Sequence, residues 1–117
     1  MTVIVSGRRL RPPETANLEA GVVPGSRPGT VRVVVSGEID FDNAASLREV
    51  LLTALVSHRA MLLVDLERVT FCDCAGLNML LAARHASLRA GRGLRITAAG
   101  RQVERLLNLT ATRSLFM

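Results

Sequence analysis

Between residues 69 and 78 the chain reads VTFCDCAGLN, with Cys72 and Cys74 flanking Asp73 and a small Ala75-Gly76 pair behind them. Two thiols at this spacing can act as metal ligands, as a redox pair or as one activated nucleophile. They can equally be small buried side chains at the end of a strand. A closed zinc site needs four ligands, and the only histidines available to join the thiols are His58 and His85. On a helix starting near Ala75, His85 lies roughly 16 Å from Cys74, too far to share an ion. A helix start can lower a thiol pKa from about 8.5, but no histidine is placed locally to serve Cys74 as a base. Glu38, Asp40, Asp42, Asp65, Glu67 and Asp73 offer carboxylates for glycosidase-type chemistry, which also needs a cleft and a set separation. Surface loops account for most of these acids. Gly-Glu-Ile-Asp at 37–40 is not a GxGxxG phosphate loop, and no P-loop occurs.

The whole chain narrows these options. Its 117 residues are 49% hydrophobic and 21% charged, as expected for one globular domain spanning residues 1–117. Aromatic residues make up only 3%, from Phe41, Phe71 and Phe116, which argues against a surface that stacks bases. The arginines are scattered, so direct nucleic-acid binding is not expected. No apolar run reaches the length of a membrane span, and no membrane association is expected. Arg8, Arg9 and Arg11 follow the apolar start, the reverse of a signal peptide, so a cytoplasmic location is expected. Two neighbouring cysteines cannot staple distant segments. The net charge of +5 is uneven: residues 1–37 carry +3, residues 38–74 carry −4, and the remainder carries +6. The acidic third contains the cysteine segment.

Apolar periodicity supplies the elements that position it. Val3–Val5 suggests a short edge strand. Residues 11–30, with Pro12, Pro13, Gly21, Pro24, Gly25, Pro28 and Gly29, read as a Pro/Gly-rich connection in which any strand is brief. Val31–Val35 is a β-branched strand. Ala44, Leu47, Val50, Leu51, Ala54 and Leu55 then share one helical face, with Asp42 or Asn43 as cap. Met61–Leu66 reads as a strand covered on both faces. A second helix places Leu77, Leu80, Leu81 and Leu88 inward, with Arg84 at the stripe's edge reaching solvent. Leu94–Ala98 is a further strand, and Gly100 opens a helix carrying Val103, Leu106 and Leu107. The expected helices centre on 43–56, 75–90 and 101–109. Strand-helix alternation with short links predicts an α/β sheet with parallel crossovers. Cys72–Cys74 then falls at the carboxyl edge of that sheet, where such folds commonly display functional loops.

Two segments together, VVVSGEIDFDNAASLREVLL (Val33–Leu52) and MLLVDLERVTFCDCAGLNMLL (Met61–Leu81), resemble the STAS family, named for sulphate transporters and anti-sigma factor antagonists. In order and separation they are similar to the stand-alone bacterial antagonists, over a core of residues 31–110. The resemblance implies a mixed sheet with helices, no catalytic activity, no cofactor and no metal. It implies a protein-binding regulator whose partner is an anti-sigma factor with an ATPase-like serine kinase fold. Sequestering that partner frees a sigma factor for transcription. In regulated members the partner phosphorylates a serine after the motif aspartate, and the modified antagonist lets go. Two added negative charges disrupt such a contact by repulsion and desolvation.

On this chain Asp73 matches the motif aspartate, Cys74 occupies the phosphoacceptor position, Ala75 the next small position and Gly76 the motif glycine. The resemblance extends the binding face to Asp40, Asp42, Asn43, Asp73, Cys74, Ala75, Gly76, Leu77 and Asn78. With cysteine in place of serine, the usual phosphorylation switch is expected to be missing. A redox-sensitive regulator and a small cysteine-dependent enzyme remain the alternatives. After the third helix the chain runs only to Ser114-Leu115-Phe116-Met117, so the family's usual final strand and helix are expected to be absent, exposing core surface or a different partner-binding edge.

Overall fold

The computed structural model describes residues 17–117 in full and, before them, the backbone of strands β1 (Thr2–Val5) and β2 (Arg8–Arg11). There follow β3 (Leu18–Pro24), β4 (Thr30–Ile39), α1 (Ala44–His58), β5 (Met61–Cys72), α2 (Cys74–Arg89), β6 (Leu94–Ala99), α3 (Arg101–Leu109) and α4 (Arg113–Phe116). All six strands join one sheet in the order β2-β1-β3-β4-β5-β6. β4, β5 and β6 are parallel, β3 is antiparallel to β4, and β1 is parallel to β3. The mixed α/β sheet expected from the alternation is present, and the three long helices fall where their apolar stripes put them.

Period-two burial decides which sheet face meets the helices. Val31, Val33 and Val35 of β4, Leu62, Val64 and Leu66 of β5, and Leu94 and Ile96 of β6 are all buried. Leu47, Leu51, Ala54 and Leu55 of α1 and Leu77, Leu80 and Ala83 of α2 are buried in the same core. Each such aliphatic side chain stabilises the fold by about 1.5–3 kcal/mol relative to exposure. On the other face Arg32 forms an ion pair with Asp65 at 2.6 Å, across the β4–β5 ladder. Asp65 therefore belongs to the sheet rather than to a surface loop. Burial alone would raise its pKa, but the Glu67 amide and the Arg32 guanidinium outweigh that and hold the carboxyl below its ordinary value. This contribution to stability is present above pH about 4 and is lost as pH falls through the lowered pKa.

Four expectations need correction. The connection at 11–30 contains a seven-residue strand, β3, whose Leu18, Ala20 and Val22 alternate into the core; residues 12–16 lie outside the described residues. β1 is not an edge strand, because β2 and β3 flank it. Leu88 is half exposed instead of inward, and buried Ser87 turns toward the core, its hydroxyl donating to the Ala83 carbonyl. Arg84 does not simply reach solvent: its Nε donates to the Leu115 carbonyl at 3.0 Å and ties α2 to α4.

Among the described residues no strand follows β6, but a short helix, α4, follows α3, where the final helix had been expected to be absent along with the strand. The core there is closed by α4, whose Phe116 is 1% exposed, while Leu109 and Leu115 stay at the surface. Phe116→Ala should cost about 3–5 kcal/mol, the range for emptying a buried phenylalanine site. Urea unfolding of the variant measures this, and a loss below about 1 kcal/mol would mean that α4 is a loosely held appendage.

Candidate functional site

β4 and β5 end side by side, with Glu38 opposite Phe71 and Ile39 opposite Cys72. The Asp73 amide donates to the Ile39 carbonyl at 3.2 Å, so the two loops leaving these strands start from one stitched corner. β6 stops earlier, Ala99 pairing with Leu66, which leaves that corner projecting from the sheet.

The first loop, residues 40–43, is wound around two side chains. Asp40 Oδ1 accepts the amides of Asp42 and Asn43 at 3.0 and 3.1 Å. The Asn43 carboxamide accepts the Asp40 amide at 2.9 Å and donates to the Glu38 carbonyl at 2.8 Å. Asn43 stands at the N-terminal boundary of α1, yet its side chain makes no cap bond to that helix. The expected cap by Asp42 or Asn43 is thus replaced by a strut that locks the loop to the end of β4. With Asn43 only 2% exposed and both ends of its amide bonded internally, it is a positioning residue and offers a partner nothing. Asp42 and Phe41 point outward, Phe41 at 81% exposure.

The second loop is a single residue. Asp73 has extended backbone and caps α2, its Oδ1 accepting the Gly76 amide at 3.0 Å. Cys74 opens the helix and is exposed, and Asn78 lies exposed one turn later on the same side. Ala75 is half-buried, whereas Gly76 and Leu77 face the core. A Cβ on Gly76 would sit 2.6 Å from Cys72 Sγ and 2.8 Å from Ile39 Cγ2. Only glycine lets α2 come this close to the ends of β4 and β5.

The two thiols differ. Cys72, 8% exposed, has its pKa pushed up to about 12, first by burial and then by the charges of Asp73 and Cys74. It is protonated and unreactive at neutral pH. Cys74 is exposed, but His58 sits at the far end of α1, beside the Ala54 carbonyl, and His85 lies well along α2. Among the described residues no base for a cysteine-dependent reaction is assembled, and no group of three or more His, Cys, Asp or Glu is placed to hold a metal. Among the described residues no helix is long and apolar enough to cross a membrane.

Of the nine expected face residues, Asp42, Cys74 and Asn78 are exposed, Asp40, Asp73 and Ala75 partly so, and Asn43, Gly76 and Leu77 are buried supports. Phe41 and Phe71, exposed at the same corner, lie outside that expected set. Phe71 is 46% exposed on the strand paired with Glu38, so both side chains leave the sheet face opposite to Ile39 and Cys72. Their rarity was the available signal: two of three aromatic residues fall in the acidic third of the chain.

Gly76→Ala should destabilise by about 1–3 kcal/mol through overpacking, and Cys72→Ala should relieve much of that cost because it removes the sulfur in the way. A double-mutant cycle by urea unfolding checks this; strict additivity would contradict the close approach. In native protein a thiol reagent should label Cys74 and spare Cys72, read by peptide mass spectrometry. Since the folded pKa of Cys72 lies above its ordinary 9.0, its contribution to stability is intact below pH 9.0 and lost as pH climbs toward about 12.

No curated protein sequence matches the chain. The solved structure of an anti-sigma factor antagonist from Mycobacterium paratuberculosis is 28% identical, with a TM-score of 0.72 over 92% of this chain and 87% of that one. The antagonist SpoIIAA in its unphosphorylated form is 20% identical, with a TM-score of 0.68 over 84% of this chain and 85% of that one. The Bacillus cell fate determinant SpoIIAA in the phosphorylated form is 19% identical, with a TM-score of 0.59 over 84% of this chain and 88% of that one. The family described as "Mlab, STAS domain" matches residues 23–115, from the end of β3 to α4. With its sheet, its helix order and this match over most of its length, the chain belongs to the STAS domain family.

Proposed function

We propose that the chain is an anti-sigma factor antagonist that binds its partner through the corner where β4 and β5 end. The observation behind this reading is the exposed Cys74, set directly after the capping Asp73 and stitched to a rigid loop that presents Phe41 and Asp42. Likeness to the mycobacterial antagonist supports the general role. The partner is an anti-sigma factor with an ATPase-like serine kinase fold, and its capture leaves a sigma factor free. Phe41 and Phe71 supply the apolar contact, and Asp42 and Glu38 form the charged rim that orients the approach.

Cys74 makes this antagonist blind to its partner's kinase. The position offers a thiol where phosphoryl transfer needs a hydroxyl, and Ala75 beside it has none. The contact is then governed by partner concentration instead of by phosphate. A redox-controlled version of the same contact is favoured only by the exposure of Cys74, since the buried, protonated Cys72 is a poor disulfide partner.

Binding to a purified anti-sigma factor of this class should weaken by about 2 kcal/mol in Phe41→Ala, roughly 30-fold, as for an aromatic anchor at the centre of an interface. Asp42→Asn should chiefly slow association and reduce its salt dependence. Calorimetry and stopped-flow mixing read both, and unchanged affinity in Phe41→Ala would remove the corner from the contact. With ATP present, Cys74→Ser should gain phosphate at residue 74 while the wild type gains none there. Wild-type phosphorylation elsewhere that abolishes binding would sink the claim of insensitivity.

A further inference from the structure

The end of the sheet opposite the candidate site is as basic as that corner is acidic. Three turns meet there: residues 25–29 before β4, 59–60 before β5 and 90–93 before β6. They are joined by hydrogen bonds from the Met61 amide to the Gly29 carbonyl at 2.9 Å and from the Leu62 amide to the Gly93 carbonyl at 3.0 Å. The turns carry Arg27, Arg59 and Arg92, all exposed, with Arg89 in the last turn of α2. Among the described residues the three turns contain no acid. Val56 and Leu88, in the last turns of α1 and α2, are exposed beside them.

Arg59 adds an independent observation. It ends α1 in the left-handed region, with φ of 47°, where glycine is the unstrained choice. A long charged side chain is held at a backbone position that disfavours it, as Ala111 also is in the turn after α3, with φ of 58°. The opposite edge carries the complement: Glu38, Asp42 and Asp73 around exposed Phe41 and Phe71. α1 and α2 both run from the acidic edge to the basic one, so the two patches face opposite ways and cannot meet within one molecule.

We infer that this basic edge is an interaction surface for the acidic edge of a second copy of the chain, giving a head-to-tail association. Such a contact is heterologous: each copy uses one edge as donor and the other as acceptor, so growth is not limited to a dimer unless the rotation closes a ring. The net charge of +5 repels copies at long range. At about 0.1 M salt, with a screening length of roughly 10 Å, the local charges at the meeting edges outweigh that repulsion. The association covers the same loops as the proposed partner, so the two compete. It stands apart from that reading, because its test uses this chain alone.

Sedimentation velocity of the full chain should show average mass rising with concentration at about 0.1 M salt and returning to monomer near 1 M, where the screening length is roughly 3 Å. Arg59→Gly with Arg92→Ala should weaken association about tenfold or more, and because Arg59→Gly relieves the left-handed backbone, the variant should unfold no earlier than wild type. Phe41→Ala with Asp42→Asn should weaken association to a similar extent from the other edge. Mixed, these two variants should recover a one-to-one complex, since each keeps one intact and complementary edge. A monomer at every concentration in low salt would overturn the inference. So would association that ignores salt, or a dimer that survives both sets of substitutions.

Discussion

The candidate site depends on how closely α2 can approach the ends of β4 and β5. Gly76 sets that distance, since any Cβ would strike Cys72 Sγ and the Ile39 side chain. With the helix seated there, the Asp73 amide reaches Ile39, its carboxylate reaches the Gly76 amide, and Cys74 is left outside as the first residue of α2. The buried thiol beneath the glycine and the exposed thiol beside it are thus two consequences of one packing contact. Their chemistries diverge because burial holds the Cys72 proton in place.

The same corner shows why binding and support should be separated when a site is read by position. Asn43, Gly76 and Leu77 sit within the stretch that resembles the family's binding face, yet each is used internally. Gly37, another residue of the first family segment, is likewise structural: its φ of 105° favours glycine, and a Cβ would press on the carbonyl of Asn17, just before β3. Short motifs therefore mark where backbones converge as much as where a partner docks. What remains exposed is a small set of acids, two phenylalanines and a thiol, presented on the ends of β4 and β5, the start of α2 and a loop held by internal hydrogen bonds. A partner meeting such a preorganised surface loses little entropy in ordering it.

Local patterns read well from sequence where one period dominates. The leucine and alanine spacing of α1, the valines of β4 and the aliphatic run of β5 each admit one interpretation, and the helices formed accordingly. β3 was hidden because its Leu18, Ala20 and Val22 alternate within a stretch crowded with proline and glycine, and pairing with β4 outweighs that composition. The exposure of Phe71 was equally unreadable. Irregularities in the β4–β5 ladder, at Val34/Ser36 and Gly37/Glu38, shift the pairing that decides which face each later residue takes. Side-chain roles in the 40–43 loop turned on hydrogen bonds to backbone atoms that no spacing rule reports.

The central claim is that the corner formed by residues 38–43 and 71–78 is where an anti-sigma factor docks. Isotope-labelled chain titrated with such a partner, with amide shifts followed by NMR, tests it most directly. With the labelled chain dilute enough to be monomeric, the account predicts shifts concentrated at Phe41, Asp42, Phe71, Asp73, Cys74 and Asn78, with the turns holding Arg27, Arg59 and Arg92 unmoved. Shifts confined to those turns, or to β3, would place the partner on another surface and contradict the account.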